Sequence, residues 1–200
     1  MAPYPNTYEL PDRSPLTVDE YLAYDQGSEM RSEYWKGLLI PMPGGSPEHG
    51  RIILDINTFL NQQLAELGYQ VWNGNTRVKV ADWGYAYPDG MVVVGKAQFL
   101  KEKGVSSLLN PALLIEVLLA STADFDLIEK FEFYKEIPTF QEYLVVSQTE
   151  PLVRQHTRQA DGEWTLNKYR GMDASIPLVV TPLVLPLAII YKYVDFSDGE

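Results

Sequence analysis

Apolar residues recur at helical spacing in the segment that follows Ser46. Ser46 suits the N-cap position, Pro47 suits the first helical position, and Gly68 follows the last apolar residue. The pattern predicts a long amphipathic helix that turns one apolar face to a core. That face consists of Ile52, Ile53, Ile56, Phe59, Leu60, Leu64 and Leu67.

Two shorter elements are predicted before this helix. Thr17-Val18-Asp19-Glu20 has the pattern of a capping box, which predicts a short helix that ends at about Tyr24. The segments 33–35 and 38–40 are rich in apolar residues and flank a Lys-Gly pair, so they predict a hairpin.

Strand-like segments dominate the remainder of the chain. A second helix is predicted over about 124–136, because charged and apolar residues alternate there at helical spacing and Pro138 follows. The order helix, three-strand meander, helix, strand predicts an α/β fold, with an N-terminal hairpin and a C-terminal antiparallel extension. The predicted strands are 69–80 with a break near 73–75, then 86–94, 112–118, 140–147, 152–157, 164–169 and 176–180.

Length and composition are those of one globular domain. The chain has 200 residues, of which 46% are hydrophobic and 22% are charged. We therefore expect a single domain over 1–200, with a flexible segment at 1–15. The sequence contains no cysteine and its N-terminus lacks the apolar core of a signal peptide, so we expect a cytoplasmic protein.

One uncharged stretch, 176–191, raises the question of a membrane segment. It is short for a span and contains three prolines, which cannot donate backbone hydrogen bonds. We interpret it as a packed C-terminal strand and turn and expect no membrane contact.

The net charge of -11 argues against a broad basic surface for nucleic acid. A protein of this charge that acts on phosphates needs local neutralisation, for example by a metal ion. Its affinity for nucleic acid is then expected to be modest and strongly dependent on salt.

Two acidic residues lie where strands are predicted. Glu116 lies in 112–118, which has apolar residues on both faces, and Asp89 precedes the apolar run 91–94. A buried carboxylate must be protonated, paired or bound to a cation. If the two acids converge, oxygen ligands favour Mg²⁺, with Mn²⁺ as an alternative. The other interpretation is a turn aspartate and a glutamate in a core salt bridge.

Lys130 is the third candidate. On a helical wheel with about 100° per residue it lies between Ile137 and Tyr134, on the apolar face. Asp126 precedes it by four residues and can pair with it. In this interpretation the ammonium group of Lys130 orients water or offsets phosphoryl charge. Alternatively, its aliphatic stem packs on the core while the ammonium reaches solvent.

Three further polar residues have weaker signals. His49 lies in the first turn of the Ser46 helix and either contacts a phosphate or water near the metal, or is a partly buried structural histidine. Glu33 belongs either to the same pocket or to the solvated surface. His156 lies between Arg154 and Arg158 on a late strand, where we expect surface placement.

Taken together, these residues resemble the Uma-two family of proposed endonucleases, a former domain of unknown function common in cyanobacteria. That family belongs to the PD-(D/E)XK superfamily, whose members have the restriction-endonuclease-like fold. The resemblance extends from about 16 to 191. The matching segments are 31–37 (RSEYWKG), 46–49 (SPEH), 87–89 (YPD), 110–118 (NPALLIEVL), 129–131 (EKF), Tyr134, 137–138 (IP) and 142–147 (EYLVVS).

The resemblance implies roles for these positions. Asp89 is the acid of the first half of the motif, and Glu116 is the acid of the second half. The lysine that the superfamily carries two residues later is replaced here by Leu118, and Lys130 on the next helix matches the displaced lysine. The implied metal ligands are Asp89, Glu116 and the Val117 carbonyl. The implied catalytic residues are Asp89, Glu116, Lys130, Glu33, His49 and Asp126.

The function implied is magnesium-dependent hydrolysis of phosphodiester bonds in nucleic acid, with DNA favoured over RNA. A non-enzymatic binding or assembly module of the same fold is the main alternative, because the net charge is acidic and the lysine is displaced. Hydrolysis of a small phosphorylated substrate is a weaker one. The apolar C-terminal segment and the late strands also suit a homodimer.

Overall fold

The computed structural model describes residues 15–42, 44–118 and 129–196, and in this part it shows a mixed α/β fold. The elements are α1 (Val18–Gly27), β1 (Ser32–Trp35), β2 (Leu38–Pro41), α2 (Pro47–Leu64), β3 (Tyr69–Asn73), β4 (Arg77–Val80), β5 (Gly84–Ala86), β6 (Gly90–Val94), β7 (Phe99–Glu102), β8 (Val105–Leu108), β9 (Leu113–Leu118), α3 (Lys130–Tyr134), β10 (Glu142–Ser147), β11 (Leu152–Arg158), β12 (Trp164–Arg170), β13 (Ser175–Pro177), β14 (Val184–Pro186) and α4 (Leu187–Ile190).

The central sheet has the strand order β12-β11-β10-β9-β6-β3. Strands β9 and β10 run parallel, and their neighbours pair antiparallel. The connection from β9 to β10 contains α3, as a parallel pair requires a crossover. The predicted meander, crossover helix and following strand are therefore confirmed.

Helices α2 and α3 cover opposite faces of this sheet. Ile52, Ile56, Leu60 and Leu64 of α2 pack against one apolar cluster. Phe131 and Tyr134 of α3 belong to the cluster on the other face, with Leu114, Leu118 and Val145. The inclusion of Leu67 in the α2 stripe was wrong: the helix ends at Leu64, and Leu67 is 53% exposed.

A second sheet has the order β2-β1-β5-β4-β8-β7. It contains the predicted hairpin, beside α1, whose capping box is present as expected. The prediction of one continuous strand over 86–94 was wrong. β5 pairs with β1 in this sheet and β6 pairs with β9 in the central sheet, so the chain leaves one sheet for the other at 87–89. The β7–β8 hairpin was not predicted.

The C-terminal segment packs as expected. Ile176, Leu185, Leu187 and Ile190 are buried in the α2-side cluster. The predicted strand over 176–180 is shorter in the structure. The Leu178 amide still donates to the Leu183 carbonyl, but the Val179 and Val180 amides donate to a Glu142 oxygen instead. Among the described residues no helix is long and apolar enough to cross a membrane.

Candidate functional site

Asp89 lies where two strands of the central sheet separate. The last residue pair between β6 and β9 is Gly90 with Ile115, so Asp89 stands next to Glu116 in that register. Instead of continuing the ladder, the Val117 amide donates to Asp89 Oδ2 at 2.8 Å. Asn57 Nδ2 of α2 donates to the Asp89 carbonyl at 3.1 Å. The carboxylate of Asp89 is therefore held beside the backbone of the residue that follows Glu116.

His49 approaches the same carboxylate from α2. Its Nε2 lies 3.3 Å from Asp89 Oδ2, and both side chains are largely buried. The amide of His49 donates to the Ser46 hydroxyl, which caps the helix as predicted. The helix start thus sets the position of the imidazole. In the structure His49 is a partner of Asp89.

Glu116 projects to the α3 side of the sheet. Its Oε1 accepts a hydrogen bond from Lys130 Nζ at 3.1 Å and another from the Tyr134 hydroxyl at 2.8 Å. Lys130 Nζ also lies 3.2 Å from Glu33 Oε1. One ammonium group therefore bridges two buried carboxylates from two different sheets.

The other contacts of Glu33 fix its orientation. The Tyr87 amide donates to Glu33 Oε1 at 3.1 Å, and the Trp35 indole donates to Oε2 at 3.4 Å. Burial, and then the negative charge of Glu116, raises the pKa of Tyr134 well above its ordinary value. Tyr134 is therefore neutral and acts as a hydrogen-bond donor. Among the described residues, the carboxylates of Glu33 and Glu116 share the ammonium group of Lys130, while Asp89 has His49 as its neighbour.

The structure brings most of the predicted site residues into one chain of contacts. His49 contacts Asp89, Asp89 binds the backbone beside Glu116, and Lys130 joins Glu116 to Glu33. The solvated alternative for Glu33 was wrong, since its side chain is 3% exposed, and so was solvent exposure of the Lys130 ammonium. Asp126 lies outside the described residues.

Among the described residues, sequence reasoning missed three side chains of this network: Tyr134, Trp35 and Asn57. Tyr134 follows Lys130 by one helical turn on the same face, so its partnership with Glu116 had a signal in the spacing. Asn57 had none, because a single polar residue beside an apolar helical stripe is ordinary. Within the described residues no group of three or more His, Cys, Asp or Glu side chains is arranged to hold a metal ion.

His156 is not the surface residue that was predicted. It packs against the Phe131 ring at 4.2 Å, in the aromatic cluster under α3. Burial, and then the positive charges of Lys135 and Arg154, lowers its pKa from 6.5 to about 4. The alternation of β11 places it on the α3 face, where a helix covers it.

The partly buried imidazole of His156 predicts a dependence of stability on pH. Between pH 6.5 and about 4 the unfolded chain binds a proton at His156 that the folded chain does not. Stability is therefore expected to fall as the pH falls through this window. His156→Phe removes that dependence, so thermal unfolding at pH 7 and pH 4.5 should show a smaller loss of Tm for the variant. Equal losses in both proteins would contradict it.

The central sheet with helices on both faces has the restriction-endonuclease-like fold. The chain belongs to the Uma2 family, described as "Putative restriction endonuclease", whose model matches residues 18–188. The chain is 33% identical to the "Uncharacterized protein sll1609" of Synechocystis sp. (strain PCC 6803) over 80% of this chain and 91% of that protein. It is 27% identical to "Uncharacterized protein slr1290" of the same strain, over 90% and 94%.

A solved structure has the same fold. It is the crystal structure of "a putative nuclease belonging to DUF820" from Anabaena variabilis, with a TM-score of 0.75 and 18% identity. The match covers 90% of this chain and 100% of that one. The resemblance and the fold expected from the sequence are confirmed, and the family is one of nuclease-like proteins.

Proposed function

We propose that the protein is a metal-dependent endonuclease that hydrolyses phosphodiester bonds in nucleic acid, with DNA as the favoured substrate. The observation that carries this proposal is the buried network in which Lys130 bridges Glu33 and Glu116 beside Asp89. Burying the two carboxylates of Glu33 and Glu116 against one ammonium group is unfavourable for stability alone. A functional site explains why such a set is retained.

The donor set fits Mg²⁺ or Mn²⁺. Asp89 and Glu116 offer carboxylate oxygens, and Mg²⁺ is commonly held by one or two carboxylates with water at its other positions. The Val117 carbonyl is a third donor. In a β-strand the amide and the carbonyl of one residue point to the same side. Since the Val117 amide donates to Asp89, the Val117 carbonyl also faces the β6 side, beyond the last residue pair between β6 and β9. A dication would also offset the charges of the carboxylates that hold it.

When bound, the metal supplies Lewis acidity and a water of lowered pKa. The residues of this chain then have separate tasks. Asp89 and Glu116 hold the ion, and the Val117 amide fixes the Asp89 oxygen. Lys130 places a positive charge where phosphoryl charge develops, and Tyr134 donates to Glu116 so that its orientation is fixed. His49, next to Asp89, contacts the phosphate or its water.

Plasmid cleavage tests this function. Purified protein is incubated with supercoiled DNA and Mg²⁺, Mn²⁺ or a chelator, beside Glu116→Gln. We expect cleavage with either metal, none with the chelator, and a loss of about 100-fold or more in the variant. The exposed Glu66→Gln is the matched control, and Tm shows that each variant folds. Equally inert wild type and variant would refute the proposal.

The second candidate is a binding module of the same fold without catalysis. It is favoured by the absence, among the described residues, of a metal-binding group of three side chains. Calorimetry separates the two. An endonuclease takes up Mg²⁺ at millimolar concentrations or below, and Asp89→Asn weakens that uptake. A binding module gives no heat with Mg²⁺ and no cleavage.

A further inference from the structure

Strands β11 and β12 are basic, although the chain has 27 acidic and 16 basic residues. Neither strand contains Asp or Glu. Because side chains alternate along a strand, positions of the same parity share a face. The cations of both strands have even residue numbers. Because even-numbered residues of β11 pair with even-numbered residues of β12, all these cations lie on one face. They are Arg154, Arg158, Lys168 and Arg170.

The contacts of the neighbouring positions show which face this is. Gln155, at an odd position, donates to Glu142 and to the Pro177 carbonyl, on the side of the β13–β14 hairpin. His156, at an even position, packs against Phe131 of α3. The cations therefore lie on the α3 face of the sheet. This is also the face from which Lys130 contacts Glu116.

The register connects these cations to the site. Val145 of β10 pairs with Glu116 of β9 on one side and with Arg154 of β11 on the other. Arg154 in turn pairs with Lys168 of β12. With strands about 4.8 Å apart, the backbone of Arg154 lies about 10 Å from that of Glu116, and that of Lys168 about 14 Å away. Glu116, Arg154 and Lys168 thus lie in one row across the sheet.

This arrangement is unfavourable in the protein alone. Arg154 and Lys168 stand directly opposite each other, and like charges in that position repel. Across the residues that the structure describes, no carboxylate forms an ion pair with Arg154, Arg158 or Lys168, whereas Arg170 pairs with Glu150. Burial, and then the charges of Lys135 and Arg154, lowers the pKa of His156 on this face, against an opposite effect of Glu132. An anion on this face would relieve the repulsion.

We propose that the α3 face of the β11–β12 hairpin binds the sugar–phosphate backbone of nucleic acid next to the phosphodiester held at Glu116. This inference rests on the proposed function and adds the path of the substrate. A backbone of regularly spaced phosphates suits cations that stand in a row and form no ion pair within the described part of the chain. The hairpin supplies the local positive surface that the net charge of -11 denies to the molecule as a whole.

Binding measured without cleavage tests this surface. Fluorescence anisotropy of a labelled DNA duplex is followed from 50 to 200 mM salt, with a chelator present, for wild type and Arg154→Gln/Arg158→Gln/Lys168→Gln. For each phosphate that the variant no longer neutralises, the negative slope of log K against log salt should become less steep by about 0.9. The affinity for DNA at low salt should fall about 10-fold or more. The control Lys96→Gln/Lys101→Gln/Lys192→Gln makes the same charge change at exposed lysines elsewhere and should leave the slope near that of wild type.

Equal slopes in the two triple variants, or a wild type that does not bind the duplex, would overturn the proposal. So would tighter binding of polyglutamate than of DNA, which would assign the face to an acidic protein. The two proposals fail separately. Cleavage that the hairpin variant leaves unchanged rejects the DNA path but not the nuclease. A slope that depends on the hairpin, without any cleavage, rejects the nuclease but not the surface.

Discussion

Lys130→Met should destabilise the protein by about 3–5 kcal/mol, because it leaves two buried carboxylates without their shared cation. The side chains of Glu33 and Glu116 are 3% and 5% exposed, and each has an oxygen within 3.2 Å of the ammonium group. For a chain of this size such a loss lowers Tm by on the order of 10 °C. Thermal unfolding at neutral pH measures it, and DNA cleavage should be lost as well.

A second substitution separates charge from packing in this variant. Glu33→Gln, added to Lys130→Met, removes one of the two negative charges that the lysine offsets and should recover part of the lost Tm without restoring cleavage. Lys130→Met should also regain stability as the pH is lowered, because buried carboxylates without a neighbouring cation become protonated more readily. The exposed Lys101→Met is the control. A Tm of Lys130→Met equal to that of the control would contradict the bridging role of Lys130.

The parts of the fold that follow from local patterns could be predicted. The α2 helix has a cap, an apolar stripe and a stop signal in sequence, and β9 is an apolar run that only a doubly covered strand tolerates. The second sheet could not be predicted. It forms because β5 pairs with β1 and β4 with β8, and neither pairing has a signal within one segment. The break at 87–89 is a consequence of that pairing.

The residues of the site also fall into those that a local sequence pattern indicates and those that only tertiary pairing brings in. Glu116 was identifiable because an acid inside a buried strand needs a partner, and Lys130 because a cation on an apolar helical face needs one too. Glu33, the second carboxylate that Lys130 contacts, looked like an ordinary hairpin residue until the second sheet placed it under α3. The basic face of β11 and β12 could not be recognised from net charge, which averages over the whole chain, whereas strand parity sorts the charges by face.

Arg77→Met should have an effect of similar size, outside the proposed site. Arg77 is buried, and its Nη1 lies 2.8 Å from Asp25 Oδ2 while its Nε donates to Ser107. Its guanidinium lies over the Tyr85 ring at 4.7 Å. Removing it leaves the buried Asp25 carboxylate with the neutral Tyr87 hydroxyl as its donor in place of a cation, which should cost about 3–5 kcal/mol.

The Arg77–Asp25 pair should respond differently from the Lys130 site when an acid is replaced as well. Asp25 and Arg77 are one acid and one base, so Arg77→Met with Asp25→Asn leaves no unpaired charge and should recover most of the lost Tm. Burial, and then the charge of Asp25, raises the pKa of Tyr87 to about 12, so its hydroxyl stays a donor to either residue at position 25. Around Lys130 two acids share one base, and no single neutralisation restores balance there. Arg77→Met/Asp25→Asn should therefore recover a larger share of its lost Tm than Lys130→Met/Glu33→Gln. Equal or smaller recovery would contradict this distinction between a structural pair and a site with excess negative charge.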